Sequence, residues 1–283
     1  MRTLTFPATI GDSIQILEDG VGTGTLSKAK IKALRKRYAI YAFRRGAGHA
    51  IKASGRFKGP AGTAIKAAYK KTHAGRSLEW LRTKLKAAAG NRCPSCGGSR
   101  PVELDHHLPQ KEYPEYALFP LNLAACCGEC NKAKSSHVAT SPSEAFLHPY
   151  LDQVPATHFI TATLAVDDGI YRATYGYDAT KVADPVLAAR IGSQLERVDF
   201  GRPLVMETEE VLVEVAQQIE NAIEDEHGYA NPASVRKYLI ASAAGKERSH
   251  HVGFWQAVLL RALATDNSFC EGGYKAMATR KLP

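Results

Sequence analysis

The feature that most constrains this chain is a group of cysteines near its middle. Five of the six cysteines lie between residues 93 and 130. They form two CxxC pairs, Cys93 with Cys96 and Cys127 with Cys130, and Cys126 directly precedes the second pair. Two such pairs supply four thiolates that can close a tetrahedron around Zn²⁺. The pairs are separated by about 30 residues, against roughly 15–20 in common zinc modules, which leaves room for an inserted functional unit.

A pair of disulfides is the alternative use of these cysteines. We see no signal-peptide pattern at the N-terminus, and disulfides are rare in reducing cytosol, so the sequence favours a metal site and a cytoplasmic location. Adjacent cysteines do not easily face one metal. We therefore assign Cys127 to the zinc site and expect Cys126 to be a buried thiol. Cys270 stands alone, and we expect it to be structural or free.

The segment between and after the pairs carries a second chemistry, that of phosphodiester hydrolysis. Asp105 and Asn131 offer one carboxylate and one amide oxygen, which suit a hydrated Mg²⁺ or Mn²⁺ ion. A histidine such as His106 can activate water while the cation stabilises the leaving oxygen. We expect Asn122 to hold the imidazole in one tautomer.

The motifs DHHLP, PLNL and CGECNKAK resemble those of HNH endonucleases of the ββα-metal class. The resemblance implies that Asp105 binds the catalytic metal, that His106 is the general base, that Asn122 orients this base, and that Asn131 is a further metal ligand. The proline three residues after His106 sets this register. In that register His107 has a packing or phosphate-contacting role.

The charge is distributed unevenly along the chain. Of the 37 Lys and Arg residues, 19 lie between Lys28 and Arg92 with a single acid, Glu79, which leaves 18 basic against 27 acidic residues elsewhere. Such a basic region is typical of contact with nucleic-acid phosphates; an acidic partner protein is the alternative. The residues predicted to bind nucleic acid are Lys36, Arg37, Arg44, Arg45, Lys132 and Lys134.

Periodicity predicts a largely helical N-terminal region. Residues 1–24 are predicted to form short strands and turns. A basic helix is expected over residues 26–45, because Ile31, Leu34, Tyr38 and Tyr41 recur at helical spacing. A further helix is predicted to begin after an N-cap at Ser77 and to end at Gly90.

The C-terminal region is predicted to be a hairpin followed by helices. Alternating segments flank Asp167-Asp168-Gly169, a strong hairpin signal. Four helices follow, and the helix around Trp255 is expected to be the most buried. The acidic helix over 206–226 is interpreted as a solvated or partner-facing surface. We interpret His148, in an HPY tripeptide, as a packing anchor, and no apolar run reaches the length of a membrane span.

The combined prediction is an α+β protein. It has a zinc-stapled ββα-metal HNH core at residues 91–150, a basic and mainly helical region at 1–90, and an acidic hairpin-plus-helices region at 151–283. The expected function is metal-dependent cleavage of DNA. The motifs also resemble bacterial anti-phage nucleases of the Septu type, which implies an ATPase partner. The alternatives are an RNA substrate and a non-catalytic zinc adaptor that binds nucleic acid.

Overall fold

The computed structural model describes residues 1–90, 92–99, 102–222 and 231–280. Helices dominate this part of the chain, and two small antiparallel sheets accompany them. Four helices precede the first strand: α1 (Ser13–Val21), α2 (Lys28–Phe43), α3 (Pro60–Tyr69) and α4 (Glu79–Ala88). The fold is therefore a mixed, helix-rich α+β arrangement.

Residues 1–24 contain a 3₁₀ turn, one α-helix and irregular segments but no strand, so the prediction of short strands there was wrong. A short 3₁₀ turn, Ala8–Ile10, precedes α1, whose N-cap Asp12 accepts hydrogen bonds from the backbone of Ile14 and Gln15. Ile14 and Leu17 are buried at helical spacing. The sequence SIQIL fits both the two-residue period of a strand and the 3.6-residue period of a helix. The aspartate at the N-cap position favours the helix.

The basic helix α2 confirms its sequence pattern. Ser27 caps it, and Leu34, Tyr38 and Tyr41 are buried along one face. It ends before Gly46, whose φ of +68° favours glycine. The cap predicted for α4 was wrong: Leu78 occupies the N-cap position without a side-chain bond.

A strand pair and a helix form the centre of the molecule. Strand β1 (Val102–His106) pairs antiparallel with β2 (Leu123–Cys127), so that His106 lies opposite Leu123. Helix α5 (Gly128–Lys134) follows β2 directly. These elements form a ββα unit, and the connection between its strands, residues 107–122, is mostly buried.

The C-terminal half confirms the predicted hairpin and helices. Strands β3 (Ile160–Asp167) and β4 (Ile170–Tyr177) pair across a tight turn at Asp168 and Gly169. The helices are α6 (Pro185–Arg197), α7 (Val205–Ala222), α8 (Pro232–Ser249), α9 (Trp255–Thr265) and α10 (Lys275–Ala278). Buried side chains cover most of α9, as its sequence predicts.

The hydrophobic core joins the first two predicted regions. One cluster of buried side chains runs from Leu4 in the N-terminal segment to Tyr150, through α1–α4 and the ββα unit. A second cluster holds the hairpin and α7–α10, and a third lies between Phe159 and α6. The boundary placed at residue 90 thus separates two segments of one shared core.

The C-terminal half packs against the first cysteine turn. The carboxylate of Glu207, at the start of α7, accepts a hydrogen bond from the backbone of Ser99 at 3.2 Å. The Arg92 guanidinium lies 5.1 Å from the centre of the Phe254 ring. Glu207 was predicted to lie on a solvated surface, and this contact gives it a structural role.

Part of the predicted acidic helix lies outside the described residues. Helix α7 is described to Ala222, so the acids Glu224, Asp225 and Glu226, with His227 and the stop at Gly228, fall outside that range. Among the described helices, none combines the length and the apolar character that a bilayer crossing requires.

Candidate metal centre and catalytic cleft

Four cysteine sulfurs converge at the base of the ββα unit. The Sγ atoms of Cys93, Cys96, Cys127 and Cys130 all lie within 4.8 Å of one another, and all four residues are buried. The Cys96 and Cys127 sulfurs are 3.9 Å apart. A tetrahedral zinc with Zn–S bonds of about 2.3 Å requires sulfurs about 3.8 Å apart. The cluster therefore has the ligand set and the geometry of a structural zinc site.

Backbone geometry presents the first two thiols. Gly97 donates a hydrogen bond to the Cys93 carbonyl at 2.8 Å, and the Gly98 amide points at the Cys96 sulfur at 3.4 Å. The second pair comes from the end of β2 and the first turn of α5. The two cysteine pairs therefore flank strands β1 and β2, as the separation of the pairs along the sequence predicts.

The fifth cysteine of this region lies beside the four. Cys126 is buried. The neighbouring thiols, that of Cys126 foremost, lower the pKa of Cys93 well below its usual value. Hydrogen bonds from these thiols stabilise the Cys93 thiolate. The prediction that Cys126 is a buried thiol outside the four-ligand set agrees with this placement.

A cleft of about 310 Å³ brings together three of the residues singled out from the sequence. Asp105 and His106 line it from β1, and Asn131 lines it from α5. The strand delivers the first two and the helix delivers the third, because β2 leads directly into α5. Asn122 does not line this cleft.

The imidazole of His106 is held by a backbone carbonyl. Its Nε2 lies 2.9 Å from the Ala117 oxygen, and the ring lies 4.4 Å from that of Tyr69. A carbonyl only accepts, so Nε2 carries the hydrogen and Nδ1 is the basic nitrogen. Burial lowers the pKa of His106 to about 4, so the ring is neutral at pH 7 and can accept a proton.

Asn122 holds the backbone beyond the histidine and does not set its tautomer. Its Oδ1 accepts from the Leu108 amide at 2.8 Å, and its Nδ2 donates to the Leu108 carbonyl at 3.1 Å and to the Tyr116 carbonyl at 3.2 Å. The tautomer predicted to depend on Asn122 depends on the Ala117 carbonyl instead. Asn122 positions His106 through the chain two residues further on.

Helix α2 completes this network from outside the motif. The Tyr41 hydroxyl donates to Asn122 Oδ1 at 2.8 Å and lies 3.1 Å from Nε2 of His148. His148 is buried, and its Nδ1 accepts from the Tyr150 amide. His148 therefore anchors the segment after the core. His107 packs beside it, with ring centres 4.5 Å apart.

Lys134 is buried within the site and does not offer its ammonium to an incoming phosphate. Its Nζ lies 3.0 Å from Asp105 Oδ2 and donates to the His106 carbonyl at 2.9 Å. Burial raises the pKa of Asp105, while the Lys134 ammonium opposes that shift. The phosphate contact predicted for Lys134 is replaced by an internal ion pair.

The donors around Asp105 fit a hydrated divalent ion. Asp105 supplies a carboxylate, and Asn131 supplies an amide whose Nδ2 donates to Glu103 at 3.4 Å. Glu103 precedes Asp105 by two residues and shares its face of β1. One or two carboxylates with an amide oxygen and several waters suit Mg²⁺ or Mn²⁺, although an ion on Asp105 competes with Lys134.

The basic residues predicted to contact nucleic acid divide into two groups. Lys36, Arg44 and Lys132 are exposed. Arg37 pairs with the buried carboxylate of Glu115 at 2.7 Å, and Arg45 pairs with Asp152 at 3.3 Å. The ion pair of Arg37 gives it a structural role. Arg45 remains half exposed.

Tyr69 and Lys111 are among the cleft residues that the motif analysis did not single out. Tyr69 packs on His106 and donates to the Leu104 carbonyl at 2.9 Å. Lys111 is exposed at the cleft edge. Lys111 lies two residues after the motif proline, which is the signal that points to it; nothing in the local sequence points to Tyr69.

A segment of the chain is similar to a phage protein. The chain is 35% identical over 68 residues to protein ea31 of Escherichia phage lambda, which covers 23% of this chain. The chain spans 23% of the length of that relative. No family model matches the chain, and no solved structure matches it.

Proposed function

We propose that this protein is a metal-dependent endonuclease of the HNH class that hydrolyses phosphodiester bonds in DNA. The observation that carries the proposal is the cleft shared by Asp105, His106 and Asn131. The ββα order of the elements and the four-cysteine cluster support it, because the motif resemblance implies both. A buried imidazole that is neutral at pH 7 can take up a proton, as a general base does.

In the proposed mechanism the residues of β1 and α5 divide the work. Nδ1 of His106 takes the proton of the attacking water, and the Ala117 carbonyl stabilises the ring that has gained it. Asp105 and Asn131 would hold a divalent ion, which would supply charge stabilisation at the leaving oxygen. Lys111 at the cleft edge contacts a phosphate of the bound strand. Asn122 maintains the path of residues 106–108.

The experiment is cleavage of supercoiled plasmid by the purified zinc-loaded protein with Mg²⁺ or Mn²⁺. We expect His106→Ala to lower the rate by at least about 10²-fold, since a general base contributes roughly 10²–10⁴. His158→Ala, which changes an exposed histidine of the C-terminal half, is the matched control. Equal cleavage by His106→Ala and wild type would overturn the assignment of the base. A labelled RNA of the same sequence tests the alternative substrate.

A non-catalytic zinc adaptor is the second candidate, and one observation favours it. The ammonium of Lys134 already neutralises Asp105, so an ion at this carboxylate must displace it or share it. Absence of Mn²⁺ binding by calorimetry and absence of cleavage, together with DNA binding and one zinc per chain, would favour the adaptor.

We further propose a role in anti-phage defence beside an ATPase. The support is the resemblance of the motifs and the acidic character of the C-terminal half, where α7 exposes Glu210 and Glu214. The ATPase would dock on this half and restrain the nuclease. Expression of the native operon followed by affinity purification tests the idea, and recovery of the nuclease without an ATPase would contradict it.

A further inference from the structure

The basic helix α2 presents apolar side chains to solvent near its C-terminal end. Phe43 is 79% exposed, and Ile40, one turn earlier, is 43% exposed. The core-facing side of the same helix is complete without them, because Leu34, Tyr38 and Tyr41 fill it. We refer to Ile40 and Phe43 together as the α2 wedge.

The α2 wedge is surrounded by positive charge. The Arg44 guanidinium lies 5.4 Å from the centre of the Phe43 ring. The sequence of α2 contains no acid. Acids elsewhere pair with two of its cations: buried Glu115 lies 2.7 Å from Arg37, and exposed Asp12 lies 3.8 Å from Arg35. The exposed cations along the helix are Lys28, Lys32, Arg35 and Lys36, and exposed Arg44 directly follows it.

We propose that the α2 wedge contacts the bases of a nucleic acid whose phosphates lie along α2. The inference rests on the proposed function for the identity of the polymer. The cations of α2 neutralise phosphates without regard to sequence. Phenylalanine and isoleucine are side chains that stack on bases or enter a base step. An exposed aromatic ring among cations combines both interactions on one surface.

Helix α2, which carries the wedge, is hydrogen-bonded to the chain segment beside the candidate cleft. The Tyr41 hydroxyl, on the turn between Ile40 and Phe43, binds the Asn122 amide that fixes the chain after His106. Gly46 follows the helix and is closely packed: a Cβ at this position would lie 3.0 Å from Cδ2 of the His107 ring. Phe43 therefore lies on a helix that is hydrogen-bonded to the chain segment directly after His106.

The same surface is less suited to a bilayer. A helix that lies in a membrane interface buries a continuous apolar face, whereas the continuous apolar face of α2 is already packed against the core. Ile40 and Phe43 are the large apolar side chains that α2 leaves exposed, and the Arg44 guanidinium lies against the Phe43 ring. Charge complementarity and the small apolar area favour the nucleic acid as the occupant.

The test is binding of oligonucleotides by full-length, zinc-loaded protein in the His106→Ala background, which removes cleavage. Fluorescence anisotropy gives the affinity, and 2-aminopurine in the oligonucleotide reports unstacking of bases. We expect Phe43→Ala to weaken binding by about five- to a hundredfold, the usual range for loss of one stacked base, and to abolish the 2-aminopurine response. Phe43→Trp should restore both.

Met206→Ala is the matched control, because Met206 is 65% exposed at the start of the acidic helix α7. It should bind as the parent does. Unchanged affinity and unchanged 2-aminopurine response in Phe43→Ala would overturn the inference while leaving the proposed nuclease intact. Failure of the parent to bind any nucleic acid would overturn both. Binding to phosphatidylserine vesicles that is lost in Phe43→Ala, with nucleic-acid binding unchanged, would replace the inference with a membrane contact.

Discussion

The two antiparallel strand pairs of this protein are built in opposite ways. β3 and β4 pair over eight residues and are joined by the two-residue turn Asp168-Gly169. β1 and β2 pair over five residues, and the connection between them spans residues 107–122. The first pair is closed by its own turn. The second needs the cysteine cluster, Asn122 and helix α2 to hold it.

This difference explains where the candidate chemistry lies. A tight hairpin sets its own register, because the turn geometry is local. A short strand pair with a long connection bears the full entropic cost of loop closure. Its position therefore depends on the other groups that hold the two strands together. Those clamps also fix His106 and Asp105 at the end of β1. The weaker strand pair is therefore the one whose geometry other parts of the chain control.

The largest expected effect is loss of a zinc ligand. Cys93→Ser should release zinc and unfold the β1–β2 region, because the binding free energy of a structural zinc, about 10–16 kcal/mol, is also folding free energy. Zinc content by mass spectrometry and thermal unfolding measure this. Cys126→Ser and Cys270→Ser should keep one zinc per chain. A folded, zinc-loaded Cys93→Ser protein would contradict the four-thiolate site.

The next effect concerns the ion pair beneath the cleft. Lys134→Met leaves the Asp105 carboxylate buried without its cation, and we expect a loss of about 3–5 kcal/mol of unfolding free energy. Denaturant unfolding measures it. Exposed Lys132→Met is the control and should change stability by less than about 0.5 kcal/mol. We also expect tighter Mn²⁺ binding in Lys134→Met; equal or weaker binding would show that Lys134 does not compete for Asp105.

A smaller effect is the pH dependence contributed by His148. Burial lowers its pKa to about 3 from an ordinary value of 6.5. The unfolded chain therefore binds more protons between these values, and stability falls as the pH falls below about 6.5. At pH 5 this costs about 2 kcal/mol relative to pH 7. His148→Gln should lose less stability over that interval, and parallel stability profiles for both proteins would contradict the assignment.

The smallest effect is expected in the self-closed hairpin. Gly169 has φ +76°, and a Cβ there would lie 3.0 Å from the Ala276 Cβ. Gly169→Ala should cost about 1 kcal/mol, since a non-glycine residue in this region is strained. Zinc content and plasmid cleavage should match wild type. Loss of zinc in this variant would show that the two strand pairs are not independent.

Local signals predicted much of the fold. The apolar spacing of α2 and the Asp-Asp-Gly turn between β3 and β4 each operate within a few residues. The sequence SIQIL fits both strand and helix periods, and its cap at Asp12 decided for helix. Predictions failed where two local signals competed or where a distant carbonyl or carboxylate supplied the partner.

The candidate site shows the same division. The motif identified Asp105, His106 and Asn131 because their residue types and order carry chemistry, and the cleft contains all three. The motif did not predict the hydrogen-bond and ion-pair partners correctly. The tautomer of His106 depends on the Ala117 carbonyl, and the Lys134 ammonium pairs with Asp105 inside the protein. Tyr41 and His148 lie 81 and 26 residues from Asn122, so no local pattern connects them to it.

The sequence by itself determined the ligand set of the zinc site, the helices and the hairpin with capping or turn signals, and the residue types able to hydrolyse a phosphodiester. These depend on spacing and side-chain chemistry along a short stretch of chain. Tertiary structure alone decided which nitrogen of His106 is basic, which cations are buried in ion pairs, and that Phe43 remains in solvent. Those properties depend on burial and on partners distant in sequence, because desolvation and hydrogen bonding are set only when the core is assembled.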